Sequence, residues 1–364
     1  MLRAPEISVC AFIRDELGLP CEEHMATTKD GYQLYLKRIP AVAAGRAPVL
    51  LLPGVADSAA TWVVSGRERS LAGALHSAGF DVWLLEKRGR TPWKHERWSG
   101  QDLEFWDFSF DESVDYDVPA LVAYVRGLTG RRIASLVGHS EGGTIVMAAL
   151  AADPELAASV QSAVALGAPL GYGADRMRWP QIPDLVSRNV HPAIPLGFTR
   201  LVFTGLCAHL PGLCWGIMCS VSGCGGAWDQ QQQGDVVGRI FSYYPRETSI
   251  KNVKHLIQCH NAGRLQRFDH GAEGNRARYG QDEPRDYDFS RLATPTALFY
   301  GTKDRVVPTA SLQHTLSLLP RDAVKMVNAS LPYGHVDFIW APDALDVLYR
   351  PLINFVTEHM REPL

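Results

Sequence analysis

The sequence has no excess of either charge. Its 36 Lys and Arg stand against 39 Asp and Glu, a net charge of −3, which excludes the basic footprint of a nucleic-acid-binding chain. Its seven cysteines form no C-x-x-C pair, and an odd number leaves at least one thiol free or paired between molecules. The opening residues Met1-Leu2-Arg3-Ala4-Pro5-Glu6 have no apolar segment behind them. The expectation is therefore a chain without a secretory signal, with reduced thiols, in an intracellular setting that is cytoplasmic or associated with membrane or lipid droplet; a trimmed precursor would read the same way. There is no internal repeat and no low-complexity linker. The sequon Asn328-Ala329-Ser330 reads as a chance occurrence. One more absence is local: from Leu201 to Trp228 there is no Asp, Glu, Lys or Arg.

What is present is core. With 364 residues, 46% of them hydrophobic, the economical arrangement is one large α/β domain carrying an insertion. Pro48-Val49-Leu50-Leu51-Leu52 and Phe80 to Leu85 are continuous apolar runs, the pattern of strands buried on both faces. Tyr32 to Ile39 alternates instead, as a half-exposed strand does. Further strands are expected at 132–137, 160–166, 295–300 and 323–327. Helices are expected at 6–17, 67–79, 143–152 and around Leu312, Leu316 and Leu319. Val114, Val118, Leu121, Val122 and Val125 share one helical face, with Pro119 tolerated only in a first turn or at a kink. Alternating strands and helices predict a mainly parallel sheet with helices on both faces.

The rhythm breaks between about 170 and 250. The division this suggests is core at 1–169, an inserted cap at 170–250, and core again at 251–364. A charge-free run as long as 201–228 raises the question of a membrane span. Pro211, His209 and five glycines between Gly205 and Gly225 argue against a regular spanning helix. A cap with a lipid-facing surface and an ordinary helical insertion with a buried face are both open. Cys207, Cys214, Cys219 and Cys224 fall here without a zinc spacing; soft packing is expected, with a disulfide or acylation as the lesser readings.

The chain turns on Gly138-His139-Ser140-Glu141-Gly142, set between a strand-length apolar run and a helix-length segment. This is the form of a nucleophile elbow, which lifts a serine hydroxyl above the carboxyl end of a sheet. The alternative is a Gly-rich turn with an exposed serine. A serine nucleophile needs a base, and the base needs an orienting carboxylate. In this arrangement they follow in the order Ser, acid, His. Asp304, just after the strand 295–300, and His335, just after the strand 323–327, fit. Each also has a structural reading, Asp304 as the cap of the helix near Pro308 and His335 as a loop histidine. Asp337 is the rival acid, better suited to a helix cap.

An oxyanion requires donors. The backbone N–H of Glu141 is one candidate and that of Val55, in the loop after the strand 48–52, is the other. The Glu141 carboxylate is awkward there: at ~4 Å and an effective dielectric of ~20 it would oppose the oxyanion by about 4 kcal/mol. It is therefore expected to point away, pair with a cation or be protonated. Trp93, Trp98 and Trp106 in the loop 86–110 are expected to supply aromatic wall to the site, with Trp106 and, from the cap, Trp215 as substrate-pocket candidates. Nothing calls for a metal or an organic cofactor.

These residues resemble the acid lipases of the α/β-hydrolase superfamily. The likeness is carried by Thr28-Lys29-Asp30-Gly31-Tyr32 with Arg38-Ile39-Pro40, by Leu51-Leu52-Pro53-Gly54 with Asp57-Ser58 and Thr61-Trp62, and by Asp81-Val82-Trp83-Leu84. It continues through Phe105 to Glu112, Tyr116 to Ala120, the elbow, and Gly334-His335-Val336-Asp337-Phe338-Ile339-Trp340. The resemblance implies an α/β-hydrolase fold with an inserted cap. It implies Ser140 as nucleophile, Asp304 as acid and His335 as base, and neutral lipid esters (triacylglycerols or sterol esters) taken at a lipid/water interface. The family has His at the place of Pro53 and Gln at the place of Glu141. An acyltransferase or small-ester esterase with the same triad is the alternative enzyme; a lipid-binding pseudohydrolase is the non-enzyme alternative. Oligomeric state is left open.

Overall fold

The computed structural model describes residues 8–43, 45–172, 206–207, 209–225, 228 and 230–360. Part of the expected cap, 173–205, lies outside them.

Eight strands make one sheet: β1 (Glu22–Thr27), β2 (Gln33–Ile39), β3 (Pro48–Leu52), β4 (Asp81–Leu85), β5 (Ser135–His139), β6 (Ala163–Leu166), β7 (Thr296–Gly301) and β8 (Val324–Leu331), in the order β1-β2-β4-β3-β5-β6-β7-β8. β4, β3, β5, β6, β7 and β8 run parallel, while β2 is antiparallel to both β1 and β4. The central strands are buried on both faces because helices cover both. Side chains alternate across the pleat, so Val49 and Leu51 enter one core and Leu50 and Leu52 the other. A fully buried side chain of this kind contributes roughly 1.5–3 kcal/mol. The sheet is the expected α/β-hydrolase arrangement, seen here as a mostly parallel sheet with helices on both sides.

The helices that position the site are α1 (Val9–Asp15), α2 (Leu71–Ser77), α3 (Val118–Thr129) and α4 (Glu141–Ala152). α1 is capped by Ser8 and α2 by Ser70, whose hydroxyls accept from Ala11 and Gly73 N–H; that trims the expected helices 6–17 and 67–79. Pro119 sits in the first turn of α3, where a missing N–H leaves no bond unmade. β1 was not foreseen. Its sequence Glu-Glu-His-Met-Ala-Thr has one buried residue and lies at the sheet edge, so no alternation marks it.

Between β6 and β7 the chain leaves the sheet for α5 (Pro211–Ser222), α6 (Gln230–Tyr243), α7 (Ile250–Ala262) and α8 (Gly271–Tyr279). The expected cap boundary at 250 falls at the first residue of α7. Pro211 begins α5 and Gly223 ends it. Among the described residues no helix is long and apolar enough to cross a membrane. α9 (Leu312–Leu318) and α10 (Arg350–Glu358) complete the fold.

The expectation of reduced thiols is overturned. Cys10–Cys21, Cys207–Cys214 and Cys219–Cys224 are disulfides, with Cα separations of 5.3, 5.6 and 5.0 Å, inside the range that a bridge permits. Two of them staple the two ends of α5, in place of the soft packing expected there. Cys259 is the free, buried thiol that the odd number requires.

Candidate active site

The elbow is built by close approach. A Cβ on Gly138 would stand 2.4 Å from Gly142 C and Gly143 N, and one on Gly142 would stand 2.3 Å from the backbone oxygen of Leu52. Neither distance is tolerable, so both positions need glycine. Ser140 caps α4 with φ 53° and ψ −127°. Among the described residues one other non-glycine shares the left-handed region: Ala56, φ 49°. It lies in the loop after β3, next to Val55. Strain of this kind persists where surrounding structure enforces it. Here it marks both walls of the oxyanion candidate site.

Ser140, His335 and Asp304 are brought together in series. Ser140 Oγ lies 2.8 Å from His335 Nε2, and His335 Nδ1 lies 2.9 Å from Asp304 Oδ2. With Nδ1–H donating to the carboxylate, Nε2 is left as the hydrogen-bond acceptor for the Ser140 hydroxyl. All three side chains are buried. Asp304 also does what its structural reading suggests: Oδ1 accepts from Val306 and Val307 N–H, at 2.8 Å each. The loop thus holds one oxygen and leaves the other to the imidazole.

Asp337 is committed elsewhere. Its Oδ2 accepts from Gly334 N–H at 2.7 Å and Gly225 N–H at 2.6 Å, and its Oδ1 from Trp228 Nε1 at 2.9 Å. It clasps the turn after α5 to the His335 loop. The backbone makes a second clasp: His335 N–H donates to the carbonyl of Ser222, at 2.9 Å.

Neither Glu141 N–H nor Val55 N–H has a backbone acceptor in the turns and loops of the described residues, which suits the donor role expected of them. The segment before Val55 runs close to Ser140: a Cβ on Gly54 would lie 3.2 Å from Ser140 Cβ. The Glu141 side chain is paired with a cation. Its Oε2 meets Lys87 Nζ, and its Oε1 accepts from Asn252 Nδ2 at 2.5 Å. Burial pulls the Lys87 ammonium down from its ordinary pKa, and the Glu141 charge pulls it back up.

The aromatic candidates have structural partners. Trp106 is buried with Trp93, Phe105 and Phe108, and its Nε1 donates to Gly100 O at 3.0 Å. Trp215, on α5, packs on Trp228 with ring centroids 4.4 Å apart, and Trp228 is held by Asp337. The Asp337 clasp and α5 therefore share one aromatic pair.

Sequence reasoning missed three participants. His139 is inside the pentapeptide that was singled out, and its Nε2 bonds the backbone carbonyl of His335. Lys87 and Asn252 carried no signal: Lys87 lies in the loop 86–110, where the tryptophans drew the reading, and Asn252 lies in a helix, α7, far along the chain. Among the described residues no group of His, Cys, Asp and Glu is placed to hold a metal ion.

Two family models match the chain: a partial α/β-hydrolase lipase region over residues 10–66, and the α/β-hydrolase fold over residues 47–206. Human gastric triacylglycerol lipase is 32% identical over 94% of this chain and 89% of its own. Human lysosomal acid lipase/cholesteryl ester hydrolase is also 32% identical, over the same shares of the two chains. Among solved structures, one from Sulfolobus solfataricus aligns with a TM-score of 0.64 at 13% identity, covering 93% of this chain and 95% of that one; at that identity the likeness is one of fold.

Proposed function

The chain belongs to the acid lipase family of α/β-hydrolases, and on that premise we propose that it cleaves neutral lipid esters through a Ser140 acyl-enzyme. The observation that carries the reading is the hydrogen-bonded series Ser140–His335–Asp304, at 2.8 and 2.9 Å. Ser140 Oγ attacks the ester carbonyl while His335 Nε2 takes its proton. Asp304 holds the ring in the tautomer that accepts and stabilises the imidazolium that forms. The N–H groups of Glu141 and Val55 receive the oxyanion; loss of one such donor costs about 3–4 kcal/mol of barrier. His335 then protonates the leaving alkoxide, and water, deprotonated by the same ring, releases the fatty acid.

The substrate class follows from the relatives, named for triacylglycerol and cholesteryl ester hydrolysis. The partner surface is lipid. Leu213, Ile217 and Val221 recur at i, i+4 and i+8 on α5 and are 53%, 45% and 66% exposed, with exposed Leu206 and Leu210 just before them. A stripe of this kind marks an interaction surface. Three disulfides support an oxidising compartment, against the intracellular expectation.

The test is covalent labelling. A fluorophosphonate is expected to form one adduct on Ser140, and Ser140→Ala to abolish both adduct and turnover of a triacylglycerol or sterol ester. An unlabelled, folded wild-type protein would end the hydrolase reading and favour a lipid-binding role.

A further inference from the structure

The loop after β4 carries four charges in five residues, Glu86-Lys87-Arg88-Gly89-Arg90, and all four are buried. Arg88 is taken up by Asp30 and Asp117, and Arg90 by the backbone oxygen of Asp57 with Glu86 nearby. Lys87 turns the other way, to the elbow. Its ammonium closes on the carboxylate of Glu141, the first residue of α4. Asn252, from the third position of α7, fixes the remaining oxygen, and its own backbone N–H is held by Ser249 Oγ at 2.8 Å. Three elements far apart in sequence thus meet at the side chain of the residue whose backbone N–H is the proposed oxyanion donor.

The chemistry of that place is specific. Ester cleavage builds negative charge on the carbonyl oxygen, so a fixed carboxylate within a few ångströms opposes the donors that receive it. A buried carboxylate without a partner is also costly in itself. We infer that Lys87 is a positioning residue for hydrolysis, which neutralises the Glu141 carboxylate and, with Asn252, holds it turned from the oxyanion. The inference rests on Ser140 as nucleophile and Glu141 N–H as donor. Among the described residues, the charged groups that act most on Lys87 besides Glu141 are Arg90 and Asp57, and His139, on the strand side, is held neutral by burial.

The effect has a signature that an ordinary structural ion pair lacks. In Lys87→Met the Glu141 charge is no longer cancelled. Turnover should fall by about tenfold or more, short of the 10²–10³ that loss of a whole donor costs, with KM little changed. The loss should deepen as pH rises, through an ionisation absent from the wild type, because protonation of Glu141 removes the opposing charge. Lys87→Arg, which keeps the cation, should recover most of the turnover. Lys87→Met/Glu141→Gln leaves no lone buried charge; it should recover the larger part of the loss and abolish the extra ionisation.

The experiment is kcat and KM on a soluble ester between pH 4 and pH 9 for the wild type and these three variants, after fluorophosphonate labelling of the wild type. Absence of a wild-type adduct defeats the nucleophile reading and leaves the pair without this role. With the adduct present, the inference alone falls on either of two results: a Lys87→Met protein with wild-type kcat and pH profile, or a double variant as slow as the single one. Should Lys87→Met not fold, the double variant and Lys87→Arg decide: a folded double variant more than tenfold slower than wild type overturns the inference.

Discussion

His139 Nε2 donates to the backbone carbonyl of His335 across 2.8 Å, so the residue before the elbow serine holds the loop that carries the imidazole. The His335 peptide is gripped on both sides, its N–H by Ser222 and its C=O by His139. Burial first, and the neighbouring His335 second, push the His139 pKa down to about 3. The ring is neutral with its proton on Nε2, and Nδ1 is left without a hydrogen-bond partner.

From this tie comes a first expectation. His139→Phe keeps the ring volume and loses the bond. A bond worth roughly 1–1.5 kcal/mol corresponds to about a tenfold drop in kcat if it is fully expressed in the transition state. His139→Gln, which keeps a donor, should lie between the two. Equal kcat for all three proteins would show that the Ser140–His335 approach is set by the rest of the loop.

Stability against pH should reveal two buried groups of opposite sign. His139 is depressed to about 3, so the unfolded chain takes up a proton first, and stability is lost as pH falls from about 6.5 toward 3. Asp57 is fully buried, and burial raises its carboxyl to about 7 against the bond from Ser58 N–H, at 2.7 Å. The folded form then holds the proton, and stability is lost as pH rises from about 4 to 7. Each slope reaches at most about 1.4 kcal/mol per pH unit, and the windows overlap. Glu86, raised by burial, and His255, lowered by it, add slopes of their own, so denaturant unfolding should be read as each variant's difference from the wild type. Asp57→Asn should expose the loss toward acid, and His139→Phe the loss toward neutral pH. Parallel curves for both variants would contradict the assignment.

The parallel core could be read from the chain because Leu50, Leu51 and Leu84 lie in strands buried on both faces, which demand unbroken apolar runs. β1 could not, since Glu22 and Glu23 sit on an exposed edge where no face selects apolar residues. Ser140, Asp304 and His335 were legible as a set because each stands just beyond a strand end, in one order along the chain. Lys87 and Asn252 were not: a buried ion pair whose members come from different elements leaves no periodicity, and Lys87 reads like any loop lysine until the sheet buries it. The cysteines misled for a related reason. The reduced-thiol expectation came from the composition of the first residues, whereas pairing depends on Cα separations that only the fold supplies.

The bridge Cys219–Cys224 closes the turn whose Ser222 carbonyl accepts from His335 N–H. Cys219→Ser/Cys224→Ser should therefore lose both stability, by about 2 kcal/mol for so short a loop, and turnover. Cys207→Ser/Cys214→Ser, at the other end of α5, should lose stability with a smaller effect on kcat. Alkylation of the native protein, read by mass spectrometry, should leave all three bridges unmodified. Modification of all seven thiols without prior reduction would refute the pairing.

The exposed stripe on α5 should separate emulsified from dissolved substrate. Leu213, Ile217 and Val221 lie on one face of α5, whose two ends are stapled by Cys207–Cys214 and Cys219–Cys224. If that face enters a lipid surface, each side chain removed from water contributes up to about 2 kcal/mol to docking. Leu213→Ser/Ile217→Ser/Val221→Ser should then cut turnover of a long-chain triacylglycerol emulsion by roughly 10²-fold, after allowance for partial burial. Turnover of a short, soluble ester should change little, because Ser140, His335 and Asp304 are untouched. In the wild type, the rate should climb steeply once substrate passes its solubility limit, and the triple variant should lose that rise. An equal fall on both substrates would place the stripe in the folding of α5 and its surroundings and not in contact with lipid.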